Sequence, residues 1–213
     1  MTSMLNPRFT RSEPDEFQRH PRRRMTEAEF VAWIGEKTRA EWVDGKVEMM
    51  SPVNSDHDML VFWLRTLIQY YSEAHDLGVV RGPEFMTRLP GRRRLADVLF
   101  VSAARADIVG ENHVEGAPDL IVEVVSPESP NRDYREKFTD YQKAGVKEYW
   151  IVDPRARRLQ AHHLARSRKY RPIEESEDGI HSVVLPGFRL KSQWLFTPPR
   201  PSALKILKEL GVR

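Results

Sequence analysis

Two carboxylates stand inside runs of apolar residues. Asp97 interrupts Leu95-Ala96-Asp97-Val98-Leu99-Phe100-Val101, and Glu123 interrupts Asp119-Leu120-Ile121-Val122-Glu123-Val124-Val125-Ser126. Alternate residues of a strand share a face, so Asp97 accompanies Leu95, Leu99 and Val101, and Glu123 accompanies Ile121 and Val125. An ionised carboxylate in such company is costly unless it is paired, and two on neighbouring strands also repel. A buried arginine or lysine partner is one remedy. A divalent cation shared by both is the other, and it removes both costs at once. Oxygen donors in a chain without cysteine suit Mg2+ or Mn2+. Such an ion positions and ionises a water and stabilises a phosphorane-like transition state. Zinc fits poorly, because the adjacent His162 and His163 point to opposite faces of a strand.

Further polar groups fall around this pair. Asp133, Lys137 and Asp140 form an i, i+4, i+7 stripe. Lys137 either reaches the carboxylates, to orient a water or a phosphate, or simply pairs with Asp133. Tyr141 lies one turn on and is either an accessory to the site or core. Glu41 opens a hairpin and could complete the acidic cluster. His57 starts a helix, where it could touch a phosphate or a metal-bound water. Arg92, Arg93 and Arg94 sit at the turn leading into the Asp97 strand, where they either hold nucleic-acid phosphates or form a solvated hairpin tip.

The elements that must position these groups follow from periodicity. Residues 1–25 read as a basic, disordered tail with Pro7, Pro14 and Pro21. Thr26 and Glu29 form a capping-box pattern for a short helix ending near Gly35. Asp44-Gly45 joins two strands within residues 41–50. The spacing of Leu60, Val61, Leu64, Leu67, Ile68 and Tyr71 predicts a helix over 57–75, capped by Ser55 or Asp56. A second hairpin is expected from strands 79–89 and 94–102, followed by a loop over 103–118. The apolar run 119–126 reads as a central strand buried on both faces. A helix from Arg132 to Ala144 with Gly145 as its cap leads to a strand at 149–152, which implies a parallel pair. Strands at 159–164 and 180–185 and a short helix within 201–213 complete the chain. One mixed-sheet α/β domain over 26–200 with helices on its faces is the architecture that satisfies this order.

Composition narrows the function classes. Hydrophobic residues make up 40% and charged residues 31%, a globular balance on the hydrophilic side. No apolar run is long enough to span a bilayer, and no secretory leader is expected. The absence of cysteine excludes disulfides and fits a reducing cytoplasm. With 34 basic and 31 acidic residues, the net charge of +3 is too small to argue for nucleic acid alone. No Walker-type loop or dinucleotide fingerprint appears, so nucleotide-driven chemistry is not expected. Trp194 and Phe196 offer either a homodimer surface or local packing.

Taken together, Ala117-Pro118-Asp119 through Ser126-Pro127, then Asp133, Lys137, Tyr141 and Ala144-Gly145-Val146-Lys147-Glu148-Tyr149-Trp150-Ile151-Val152-Asp153-Pro154, resemble the Uma-two family of the restriction-endonuclease-like PD-(D/E)XK superfamily. The resemblance spans roughly residues 25–196 and includes Glu41 with Asp44-Gly45, His57 and the Asp97 strand in the expected order. It implies a mixed core sheet flanked by helices and metal-dependent cleavage of nucleic acid, DNA foremost. Asp97 matches the first acid, Glu123 the second, and Glu41 an acid from earlier in the chain. Two positions depart from the superfamily pattern: Ala96 replaces a proline, and Val125 replaces the lysine two residues after the second acid. The resemblance supplies the lysine from the following helix, as Lys137. A catalytically inactive nucleic-acid-binding or assembly module on the same fold is the competing expectation.

Overall fold

Thr26 opens the first helix, α1 (Glu27–Trp33), with the reciprocal capping box that its spacing predicts. The computed structural model describes residues 23–35, 38–51, 54–126 and 132–212. Most of the 1–25 segment therefore lies outside the described residues. Met25 does not behave as tail: it is buried, donates its N–H to Gly45 and accepts from the Trp42 indole at 2.8 Å. It packs with Phe30, Ala40, Trp42 and Val47.

Strands β1 (Ala40–Val43) and β2 (Lys46–Met49) form the expected hairpin. Asp44 and Gly45 both take positive φ, 47° and 86°, as a two-residue turn matched to strand twist requires. Helix α2 (Ser55–Ala74) buries Leu60, Val61, Trp63, Leu64, Leu67, Ile68 and Tyr71. Its cap is Asn54, whose side chain accepts the His57 N–H, rather than Ser55 or Asp56.

The region read as one hairpin contains four strands in two sheets. β3 (Gly78–Arg81) pairs with β6 (Val98–Ser102), while β4 (Met86–Leu89) pairs with β5 (Arg92–Leu95). The arginines belong to β5 itself and not to a solvated tip. The stretch expected to be loop holds a 3-10 turn (Ala103–Ile108) and β7 (His113–Glu115), which adds to β4 in parallel. β8 (Leu120–Val124) is buried along its whole length, and β9 (Glu148–Asp153) runs parallel to it. Between them lie a π-helical stretch (Arg132–Lys137) and α3 (Phe138–Ala144). Gly145 ends α3 with φ 95°, and its N–H and that of Val146 both donate to the Tyr141 carbonyl.

The remaining elements are β10 (Arg158–Leu164), β11 (Tyr170–Ile173), β12 (Ile180–His181), β13 (Arg189–Leu190), α4 (Ser192–Phe196) and α5 (Ala203–Glu209). The expected strand at 180–185 shrinks to two residues, and β11 was not anticipated. Two larger sheets result, ordered β2-β1-β5-β4-β7 and β11-β10-β9-β8-β6-β3. Helix α2 and the C-terminal elements cover one face of the six-stranded sheet. Tyr141, Tyr149, Tyr170 and residues of β4 and β7 cover the other. Trp194 is buried and Phe196 packs, partly buried, against that first core. No helix among the described residues is long and apolar enough to cross a membrane. The mixed-sheet α/β architecture is the one the strand and helix order implies.

Candidate active site

Glu123 points from the central strand β8 toward α3 and is buried. Its Oε1 accepts from the Tyr141 hydroxyl at 2.8 Å and lies 2.9 Å from the Lys137 ammonium. Burial first, then the charges of Asp97 and Asp133, raise its pKa to about 8 even against the neighbouring ammonium. Lys137 is itself buried. Burial alone would favour its neutral form, but Glu123, Glu41, Asp133 and Asp97 outweigh that and keep it charged. It also lies 3.6 Å from Glu41 Oε1, 3.7 Å from Asp133 Oδ1 and 3.3 Å from the Leu95 carbonyl. The helical lysine thus reaches both Glu123 and the Asp133 partner that its spacing suggests. Tyr141 stays a protonated donor, because burial pushes its pKa far up.

Asp97 is not inside a strand. It occupies the bend between β5 and β6, where the chain leaves one sheet for the other, and its side chain is 14% exposed. Leu99 and Val101, expected on its face, do belong to the core on the Glu123 side of the sheet. Asp97 Oδ2 accepts the Val124 N–H at 2.7 Å and lies 3.5 Å from His57 Nε2. That imidazole nitrogen is also 3.0 Å from the Val124 carbonyl. Burial opposes the charged form of His57, but the contact with Asp97 wins and raises its pKa.

Glu41 stands in the same acidic group, but tied closely to β5. It is fully buried; Arg94 Nη1 donates to its Oε2 at 2.6 Å and the Leu95 N–H to its Oε1 at 2.9 Å. Burial is more than offset by Lys137 and Arg94, which hold its carboxyl below the usual range. Both oxygens are therefore committed to the protein. Nor do the arginines present themselves to phosphates. Arg94 is buried and bridges Glu41 and Asp140, with Glu48 at 3.3 Å. Arg92 pairs with Asp140 and Asp44, and Arg93 with Glu27. A triple arginine looks exposed in sequence because its acidic partners lie far away in the chain.

Sequence reasoning underrated Asp133 and Asp140. Asp133 is buried beside Lys137, and burial followed by the charges of Asp97 and Glu41 raises its pKa. Asp140 ties α3 to β5 through two arginines. The i, i+4, i+7 stripe was the available signal for both.

The donor set bears on a metal as follows. Among the described residues, no group of three or more His, Cys, Asp or Glu side chains is arranged to hold an ion. Asp97 and Glu123 remain, and among the described residues each receives its donors on a single oxygen, Oδ2 and Oε1 respectively. Two hard carboxylates in a negative environment fit Mg2+, which takes one or two such ligands and keeps several waters.

The structure resembles the crystal structure of a "putative nuclease belonging to DUF820" from Anabaena variabilis, with a TM-score of 0.69 and 16% sequence identity. The match covers 81% of this chain and 98% of that one, and at that identity it shows a shared fold, the restriction-endonuclease-like one. A comparison with curated proteins gave no match. The sequence model of Uma2, described as "Putative restriction endonuclease", matches residues 27–193, from α1 to α4, and the chain belongs to that family.

Proposed function

We propose that the chain is a metal-dependent endonuclease that hydrolyses phosphodiester bonds of DNA. One observation carries this reading: among the described residues Asp97 and Glu123 each keep one oxygen clear of protein donors, while the buried Lys137 ammonium stands 2.9 Å from Glu123. The family and the shared fold support the same chemistry. Asp97 and Glu123 would hold Mg2+ or Mn2+, which when bound supplies an acidified water and charge stabilisation at the phosphate. Lys137, held cationic by its acidic neighbours, acts as a donor to anionic oxygen and not as a base. The Val124 N–H and His57 fix the Asp97 rotamer, and Tyr141 fixes Glu123. Glu41 and Arg94 position Lys137 and β5 from behind.

Plasmid cleavage tests the proposal. The wild type should nick DNA with Mg2+ or Mn2+ and not with chelator. Asp97→Ala should abolish cutting, and Lys137→Met should slow it by roughly a hundredfold or more, both with melting curves recorded alongside. A folded wild type that binds DNA with Mn2+ but never cuts would refute it. That result would favour a second reading, a non-catalytic nucleic-acid-binding module, which draws on the locking of Glu41 by Arg94 and the lack of a three-carboxylate group among the described residues.

A further inference from the structure

With Arg92, Arg93 and Arg94 turned inward, substrate phosphates must be met by other cations, and a second arginine group lies beside the site. A cleft of about 390 Å³ is lined by Asp56, Met59, Arg155, Arg157, Phe196 and Arg200, among others. Three connections tie its rim to the strand ends that carry Asp97 and Val124. Asp56 directly precedes His57, whose ring contacts Asp97 and Val124. The turn carrying Arg155 and Arg157 leaves β9 just after Val152, which pairs with Val124 of β8. Tyr134, next to Asp133, donates to Asp153 at the head of that turn at 2.9 Å.

The arginines are set up for an anion. Asp153 Oδ1 accepts the Ala156 N–H and holds the turn, with Arg157 at φ 51°, so both arginines project from a fixed corner. Arg200 is half-buried, its guanidinium 5.8 Å from the Trp63 ring centroid. The Trp63 indole donates to the Pro201 carbonyl at 2.8 Å, which anchors the segment. Among the described residues Arg200 Nε is buried without a hydrogen-bond partner, and none of Arg155, Arg157 and Arg200 forms an ion pair. Among the described residues Asp56 is the one acid lining the cleft. A half-buried guanidinium whose Nε lacks a partner carries a desolvation cost, which the nearby Asp56 offsets only in part and an incoming phosphate would reduce further.

We infer that this cleft grips the phosphodiester backbone of the DNA strand whose scissile bond lies at Asp97 and Glu123, with Arg155, Arg157 and Arg200 as its contacts. The inference rests on the nuclease reading for the identity of the strand, but its test does not depend on cutting. Binding of a labelled DNA duplex is measured by anisotropy in the Asp97→Ala background, in chelator, over a salt series. Arg155→Glu/Arg157→Glu, both exposed positions, should weaken binding by about tenfold or more near 0.1 M salt and lower the salt slope by about two. The same charge change at the far end of β10, in the turn to β11, Arg166→Glu/Lys169→Glu, should change affinity less than about threefold. Arg200→Gln, checked for an unchanged melting temperature, should also weaken binding. Equal losses for the two charge reversals would mean diffuse attraction and overturn the inference, as would unchanged binding of the cleft variant or no binding by the parent chain. Cleavage by the wild type with an unaffected cleft variant sinks this inference alone. Cleft-dependent binding without any cutting sinks only the nuclease.

Discussion

Replacing Glu123 with glutamine should make the metal-free protein more stable, and increasingly so as pH rises. The folded-state pKa of Glu123 is about 8, against an ordinary 4.5. Between those values the native state binds a proton that the unfolded chain has released. Stability therefore falls as pH rises through this window, the reverse of the behaviour of a salt-bridged carboxylate with a depressed pKa. At about 1.4 kcal/mol for each pH unit, a change from about pH 5.5 to about pH 7.5 should cost the wild type on the order of 3 kcal/mol through this group. For a chain of this size that corresponds to a melting-temperature drop of roughly 6 to 12 °C. Glu123→Gln keeps the shape and a hydrogen-bond acceptor for Tyr141 but cannot ionise. Thermal and urea unfolding in chelator at both pH values gives the comparison. His57, whose raised pKa contributes stability that is lost as pH rises, and the other titrating groups are common to both proteins, so the difference in slope isolates Glu123. Parallel pH profiles for wild type and variant would refute the account of a buried, electrostatically burdened carboxylate.

Two further outcomes test the supporting structure. Glu41→Ala leaves Arg94 buried without its closest carboxylate and should cost about 3–5 kcal/mol in urea unfolding, whereas a Glu41 that served only as a metal ligand would lose activity at unchanged metal-free stability. Gly145→Ala places a Cβ at φ 95°, although its nearest neighbour at 3.5 Å is no clash, so melting should show a loss of about 1–2 kcal/mol from backbone strain alone.

The sequence announced those parts of the fold in which one residue pattern has one physical reading. The 3.6-residue period of α2, the Asp44-Gly45 turn and the unbroken apolar run of β8 each admit little else. Glu123 and Glu41, both singled out from residue types, do flank the Lys137 ammonium, and Tyr141 donates to Glu123. The assignment of parts within that group was less legible. Glu41 and Arg94 are 53 positions apart, and nothing local marks them as a buried pair. The split of residues 79–102 into four strands depends on which sheet each piece joins, a long-range choice. β7 and β11 are short and lack a clean alternation, and β11 carries Pro172, which suits its edge position. The π-helical stretch before α3 leaves no compositional trace, because only its hydrogen-bond spacing distinguishes it.

Asp97 marks the spot where the backbone crosses from one sheet to the other, and this ties two requirements to one residue count. Inward and outward positions alternate along β6, so one extra or missing residue between Leu95 and Val98 would invert every side chain that follows. Val98 and Phe100 would trade places with Leu99 and Val101, which serve the opposite core. An insertion at this crossing would therefore scramble the interior and displace the acid in a single stroke.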